Sequence, residues 1–130
     1  MIIVNMPGGA VQEIEEAELL WLRKAFDSEW KGATMLRLAG DRIYSIETVD
    51  GLSKKFGMAK VSLAEFSAPD ARVKLVVSAE RVRQVVESDP DIYHEKAKAV
   101  LVFDGKRLLA VRETPDEANQ KLQGAKAGVS

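Results

Sequence analysis

A tight Asp104-Gly105 turn between two apolar runs constrains the fold more than any other feature of the sequence. Residues 99–103 precede the turn and residues 106–112 follow it, and aliphatic side chains dominate both stretches. Asp-Gly between such runs is typical of a two-residue hairpin, because the turn needs residues that accept a positive φ. The sequence therefore predicts an antiparallel hairpin here.

A helix start follows this hairpin. Thr114 stands at the N-cap position, Pro115 at the first helical position and Glu117 three residues after the cap. Threonine and glutamate at this spacing form a capping box, and proline at the first position has no N–H to leave unpaired. The pattern predicts a helix that ends near Gly124, followed by a frayed tail over residues 125–130.

A similar order of features occurs earlier in the chain. Residues 34–38 and 42–47 form two β-prone runs around a Gly-Asp turn, and Thr48 is placed to cap a short helix that ends at Gly57. The turn glycines of the two hairpins lie 65 positions apart, and the capping threonines lie 66 apart. This offset predicts a duplicated hairpin-helix unit within one globular body.

An amphipathic helix is predicted over about Val11–Ser28, because its apolar residues recur at three- and four-residue spacing and its glutamates precede its basic residues. The expected fold class is α+β. A mainly antiparallel sheet would come from two repeated hairpin-helix units, roughly 11–57 and 72–124, and would pack against the N-terminal helix. We expect residues 1–130 to form a single domain, since the length suits one core.

The segment Ser78–Glu87 is compatible with two kinds of secondary structure. Ser78 could cap a helix in which Ala79, Val82 and Val85 share one face. The β-branched valines of the segment favour a strand instead. The sequence alone leaves the choice open.

Composition removes several classes of function. Lysine and arginine number 19 against 20 acidic residues, a net charge of −1, so no overall basic field attracts nucleic acid or an anionic membrane. The chain has no cysteine, and His94 is its only histidine, so nucleophilic triads and zinc sites lack residues. We expect no catalysis, no cofactor and no metal. The short apolar N-terminus and the lack of a long apolar run predict a cytoplasmic protein outside the membrane.

Four arginines on the predicted hairpins are candidate binding residues: Arg37, Arg42, Arg107 and Arg112. If the hairpins pair, their guanidinium groups would lie on one sheet face and bind carboxylates or phosphates bidentately. The other interpretation is ordinary charge on edge strands, which prevents strand-to-strand aggregation.

Two tryptophans, Trp21 and Trp30, are the remaining candidate binding residues, because amphipathic aromatic side chains often lie at contact surfaces. A symmetric homodimer would cover them if helices packed at the two-fold axis. It would instead leave them uncovered if Leu108–Arg112 paired with its symmetry mate as an edge strand.

Two families resemble the second unit. The hairpin in residues 100–111, followed by Glu113–Glu117, resembles the small flagellum-associated FlbD-type family, in which a glycine-turn hairpin leads into a helix start. The same hairpin with its Val111-Arg112 ending is similar to LytTR-type DNA-binding domains. The second resemblance implies DNA binding, although the basic and aromatic stretch that such domains carry ahead of the hairpin is not evident.

The sequence as a whole predicts a small regulatory or adaptor module that acts by binding another protein, which includes a second copy of itself. The alternative is a DNA-binding transcriptional regulator that uses the hairpin arginines. Salt separates the two, because DNA binding releases counterions and weakens steeply as salt rises.

Overall fold

Antiparallel strands form the framework of the protein in a computed structural model, which describes residues 1–69, 73–89, 91–104 and 106–127. In these ranges the chain forms ten strands and three α-helices. The strands are β1 (Ile2–Asn5), β2 (Val11–Ile14), β3 (Leu19–Lys24), β4 (Thr34–Leu38), β5 (Arg42–Ser45), β6 (Leu63–Ser67), β7 (Lys74–Ser78), β8 (Gln84–Glu87), β9 (Ala99–Val102) and β10 (Leu108–Val111). The helices are α1 (Asp27–Trp30), α2 (Val49–Met58) and α3 (Pro115–Ala127). The pairings of these strands are antiparallel, so the predicted α+β class is confirmed.

The largest sheet has five strands in the order β5-β4-β3-β7-β6. Strand β3 lies at its centre, paired with β4 on one side and with β7 on the other. A three-stranded sheet, β10-β9-β8, and the β1-β2 hairpin complete the set. Arg112 N–H donates to Ser67 C=O at 3.0 Å, which ties the end of β10 to the outer edge of β6.

Each face of the five-stranded sheet is packed against its own layer. The α2 core lies on one face and contains Ile2, Val4, Ile14, Leu19, Leu22, Leu36, Leu38, Ile43, Leu52, Phe56, Val61 and Val76. The α3 core lies on the other face and contains Leu20, Ala64, Phe66, Ala68, Leu75, Val77, Ala79, Val82, Ala99, Leu101, Phe103, Val111, Ala118 and Leu122. Because β3 contributes to both cores, it is apolar on both faces.

The predicted helix over Val11–Ser28 is wrong. The segment forms β2, a 3₁₀ turn over Glu16–Glu18 and then β3. A central strand buried on both faces has a continuous apolar run, and such a run matches the helical spacing as well as it matches a strand. The long helix that packs on a sheet is therefore C-terminal, α3, rather than N-terminal.

The first predicted hairpin and its helix are confirmed. Strands β4 and β5 pair in register from Thr34↔Ser45 to Arg37↔Arg42. Thr48 caps α2, because its Oγ1 accepts a hydrogen bond from Gly51 N–H at 3.0 Å. The helix continues past Gly57 and ends at Met58.

The second predicted hairpin is confirmed as a strand pair, but its turn differs from the prediction. Val102 pairs with Leu108, and Phe103 N–H donates to Arg107 C=O at 3.0 Å, so the closing residues are four apart, whereas those of a two-residue turn are three apart. Asp104 N–H also donates to Arg107 C=O, at 3.5 Å. The Asp104 carboxylate organises this turn by accepting hydrogen bonds from the N–H groups of Lys106 and Arg107 at 2.8 and 2.9 Å. Gly105, on which the prediction also depended, lies outside the described residues.

The open segment Ser78–Glu87 is not an α-helix. Ala79–Arg81 form one 3₁₀ turn, and β8 follows and pairs with β9 from Gln84↔Val102 to Glu87↔Ala99. The strand is the conformation that the β-branched valines favour. In the strand, Val85 packs against the α3 core.

The predicted duplication over residues 11–57 and 72–124 is not supported. Each hairpin precedes a helix, but the β4-β5 hairpin belongs to the five-stranded sheet and the β9-β10 hairpin to the three-stranded one. Helix α2 packs on β1 and β3, whereas α3 packs on β6, β8 and β9. Equal local patterns thus serve different tertiary positions.

The predicted capping box of α3 is confirmed. Glu117 N–H donates to Thr114 Oγ1 at 3.2 Å, and Thr114 N–H donates to the Glu117 carboxylate at 3.1 Å. The predicted end at Gly124 is wrong, since the helix runs to Ala127. Residues 128–130 of the predicted tail lie outside the described residues.

We expect Thr114→Ala to lower the free energy of unfolding by about 1 kcal/mol, because an N–H of the first helical turn loses its acceptor. Urea denaturation followed by circular dichroism measures this change. Thr48→Ala is the matched variant at the other capped helix, α2. An unchanged urea midpoint for Thr114→Ala would show that the box contributes nothing to stability.

Candidate functional site

Three of the predicted binding residues form one row across the five-stranded sheet. Trp21 on β3 pairs with Arg37 on β4, and Arg37 pairs with Arg42 on β5. Side chains of paired residues project from the same face of a sheet. Trp21 packs against the edge of the α3 core, whereas Arg37 is half-buried and Arg42 is exposed. The row therefore runs from the core to the open edge of the sheet.

A β-bulge in β3 places Trp21 in this row. The register shifts between Leu19, which pairs with Leu38, and Trp21, which pairs with Arg37. Leu20 is the extra residue, and it packs in the α3 core. Bulges are frequent beside binding sites because they redirect one side chain without breaking the sheet. Here the bulge brings an indole beside two arginines.

Tyr44 and Trp30 extend the row into a surface. Tyr44 follows Arg42 by two residues on β5 and so shares its face, and the Arg42 guanidinium carbon lies 6.0 Å from the Tyr44 ring centroid. Trp30, the last residue of α1, is 52% exposed, and its ring centroid lies 6.5 Å from that of Tyr44. We call the surface formed by Trp21, Trp30, Arg37, Arg42 and Tyr44 the arginine–aromatic face.

The Glu29 carboxylate links α1, β3 and β5 at this surface through hydrogen bonds. It accepts two hydrogen bonds from the Arg23 guanidinium, at 2.7 and 3.2 Å, and one from Tyr44 Oη–H at 2.8 Å. It also accepts from Phe26 N–H at 3.0 Å, which closes the one-turn helix α1. The segment that carries Trp30 is therefore fixed to β3 and β5 through one carboxylate.

The hydrogen bonds around Glu29 shift the pKa values of both Glu29 and Tyr44. The Arg23 guanidinium beside Glu29 lowers the pKa of that carboxyl from 4.5 to about 2, against the opposing effect of burial. The hydrogen bond to Glu29 raises the pKa of Tyr44 above its ordinary value. Arg23 also lies 4.0 Å from the Phe26 ring centroid, a cation–π distance. Glu29 stays ionised and Tyr44 stays a hydrogen-bond donor at neutral pH.

The other two predicted arginines lie elsewhere. Arg107 forms an ion pair with Asp104 in the β9-β10 turn. Arg112 follows β10 and lies against β6, at the edge of the five-stranded sheet opposite Arg42 on β5. There it lines a cavity of about 380 Å³ together with Phe66 and Lys121. The two hairpins belong to different sheets, so the condition for a shared face of four arginines is not met, and Arg37 and Arg42 are the two that lie together.

Four residues at this face were not predicted from the sequence: Arg23, Phe26, Glu29 and Tyr44. The helix predicted for residues 11–28 concealed Arg23, because a strand would place it two residues from Trp21 on the same face. The spacing of Arg42 and Tyr44 on a predicted strand was a usable signal for the same reason. Glu29 had no such signal, since it reaches this face only through the one-turn helix α1.

The described residues also bear on metal binding and on membrane crossing. Within the residues that the structure describes, no group of three or more histidine, aspartate or glutamate side chains is arranged to hold a metal ion. His94 is exposed, and its Nδ1 accepts a hydrogen bond from Lys96 N–H at 3.1 Å. Across the described part of the chain, no helix combines the length and the apolar character that a membrane crossing requires.

Comparisons with protein-family models, with curated proteins and with solved structures find no significant match to this chain. The candidate function therefore depends on the geometry of the arginine–aromatic face.

Proposed function

We propose that the protein is a non-catalytic binding module that holds a partner protein on its arginine–aromatic face. The supporting observation is the row Trp21, Arg37 and Arg42, extended by the Tyr44 and Trp30 rings. Tryptophan, tyrosine and arginine are the residues that most often dominate the binding energy of protein interfaces. Trp30 offers such a contact, because it is exposed on a segment that Glu29 already fixes to β3 and β5. Little conformational entropy of that segment is therefore lost on binding.

DNA binding by the hairpin arginines has less support. Duplex binding needs cations spread along the path of the phosphates. Arg107 is neutralised by Asp104, and Arg112 lies at the far edge of the sheet from Arg42. A net charge of −1 adds no general attraction for a polyanion. DNA binding is therefore the competing outcome of the tests.

Capture of a partner from native lysate by immobilised protein tests the proposal. We expect the double variant Trp30→Ala, Arg42→Ala to bind the captured protein about thirtyfold or more weakly than wild type, because truncation of an interface anchor costs about 2 kcal/mol or more. Met58→Ala is the control, since Met58 is 78% exposed on α2, which covers the opposite face of the sheet. Equal capture by the double variant and the control would refute the proposed face.

Oligonucleotide binding, followed by fluorescence anisotropy, tests the competing outcome in parallel. A duplex that binds wild type with steep salt dependence and fails to bind the double variant would favour a DNA-binding regulator. The absence of such binding, together with specific protein capture, supports the adaptor module.

A second copy of the chain is one form of partner that the proposal includes. Trp21 lies on β3 rather than on the predicted N-terminal helix, and Trp30 lies on α1 with its ring beside Tyr44, so a face-to-face dimer would bury both of them. Strand β10, with Leu108 47% exposed, is the edge that the alternative dimer would use. Light scattering on wild type and on Trp30→Ala separates the two, since only the face-to-face dimer weakens in the variant.

A further inference from the structure

We propose that Arg37 and Arg42 together bind a phosphate monoester on the partner protein, as found on a phosphorylated side chain. This inference rests on the proposed function and adds the chemical group that the arginine–aromatic face would recognise. The two arginines lie directly opposite each other on β4 and β5. Strands β3, β4 and β5 contain no aspartate or glutamate.

The register brings the two guanidinium groups to one place. Leu38 N–H donates to Asp41 C=O at 2.7 Å, which makes 38–41 a hydrogen-bonded pair. In an antiparallel ladder such pairs alternate with non-hydrogen-bonded pairs, whose Cα atoms are about 4.5 Å apart and whose side chains lie closest. Arg37 and Arg42 form that next, closer pair. Their charged ends can therefore converge on a single ligand group.

Like charges directly opposite each other destabilise a sheet. Arg23 and Arg107 each have a carboxylate partner, Glu29 and Asp104, whereas the ion pairs formed among the described residues include neither Arg37 nor Arg42. The closest kind of cross-strand pair is thus formed here by two arginines, and no ion pair among the described residues neutralises either of them.

Asp41 and Glu29, two acids close to the pair in the fold, form their recorded hydrogen bonds with groups other than the guanidinium groups of Arg37 and Arg42. The Asp41 carboxylate accepts the backbone N–H of Arg42 at 2.7 Å. Glu29 accepts from Arg23 and Tyr44. An anion from outside the chain would therefore remove the repulsion between Arg37 and Arg42.

The charge and shape of the site favour a monoester over other anions. A carboxylate carries one charge and two oxygens, which suit one bidentate guanidinium. A phosphate monoester carries a charge of about −1.5 to −2 and three acceptor oxygens, so it can serve both guanidinium groups. A nucleic acid presents singly charged diesters in series, yet the arginine–aromatic face has one arginine pair rather than a series. The Trp21 and Tyr44 rings beside the pair suit the peptide that would carry the phosphate.

Calorimetric titration with the peptide Gly-Gly-phosphotyrosine-Gly-Gly tests this inference on the full chain. We expect saturable binding by wild type and about tenfold or greater weakening in Arg37→Gln and in Arg42→Gln, because each removes a charge-assisted pair of hydrogen bonds. Arg112→Gln is the matched control and should bind as wild type. Urea denaturation checks folding, and neither Arg37→Gln nor Arg42→Gln should be less stable, since each relieves the repulsion.

Four outcomes would overturn the inference. The same peptide with glutamate in place of phosphotyrosine could bind as tightly, which would show a carboxylate site. The monomethyl phosphodiester of the peptide could bind as tightly, which would show that the second charge is irrelevant. Single-stranded DNA could bind more tightly than the phosphopeptide and depend on both arginines, which would show a nucleic-acid site. The phosphopeptide could fail to bind at all, and if capture of a partner then still depended on Trp30 and Arg42, the proposed function would stand without this inference.

Discussion

Replacing Phe56 with alanine is expected to lower the free energy of unfolding by about 4 kcal/mol. Phe56 is 0% exposed and lies in the α2 core with Leu22, Leu36 and Leu52. Its removal takes the burial of a phenyl ring from the folded state and leaves a cavity that the sheet and helix α2 cannot fill by a small shift. Urea denaturation at neutral pH, followed by circular dichroism, measures the loss.

Met58→Ala is the control on the same helix. Met58 lies two residues further along α2 and is 78% exposed, so its truncation should change the free energy of unfolding by less than about 0.5 kcal/mol. Similar losses for the two variants would mean that α2 does not pack on the sheet through Phe56.

Replacing Glu29 with glutamine is expected to cost about 2 kcal/mol at neutral pH, because it leaves the buried Arg23 guanidinium without its counter-charge. The same change weakens the hydrogen bond from Tyr44 Oη–H, which joins α1 to β5. Urea denaturation of wild type and variant gives the difference in the free energy of unfolding.

This difference should depend on pH. The pKa of Glu29 is about 2 in the folded protein and 4.5 ordinarily, so its contribution is present above about pH 4.5 and is lost as the pH falls toward 2. We therefore expect wild type and Glu29→Gln to differ less at about pH 3 than at about pH 7. Glu95→Gln, at an exposed position, is the control. A difference that stays constant over this range would mean that the ionised carboxylate contributes no stability.

The sequence predicted those elements whose signals are local. Thr48 and Thr114 cap helices as predicted because a cap depends on residues within one turn. The β4-β5 and β9-β10 hairpins were predictable for the same reason. The conformation of β3 depends instead on what covers it. Only a strand buried between the α2 and α3 cores is apolar on both sides, and neighbours that are distant in sequence supply that burial.

The candidate site was predicted in part for a similar reason. Arg37 and Arg42 flank one turn, so their pairing follows from the hairpin register. Trp21 joins them only because β3 is a strand with a bulge at Leu20, which the helical prediction excluded. Arg107 and Arg112 share the local pattern of the first hairpin, but the second hairpin belongs to another sheet. Local similarity therefore overestimated how many arginines act together.

The central position of β3 means that the chain cannot be divided into its two apparent halves. Strand β3 belongs to the first half and β7 to the second, yet they pair directly, with Leu22 opposite Val76. A fragment that stopped after α2 would present the open side of β3 as an apolar edge, the kind of strand that recruits other chains into aggregates. The second half alone would lack β3, the strand with which β7 pairs. Attempts to separate the three-stranded sheet from the arginine–aromatic face by truncation would therefore destroy both, and surface substitutions are the suitable means of isolating each.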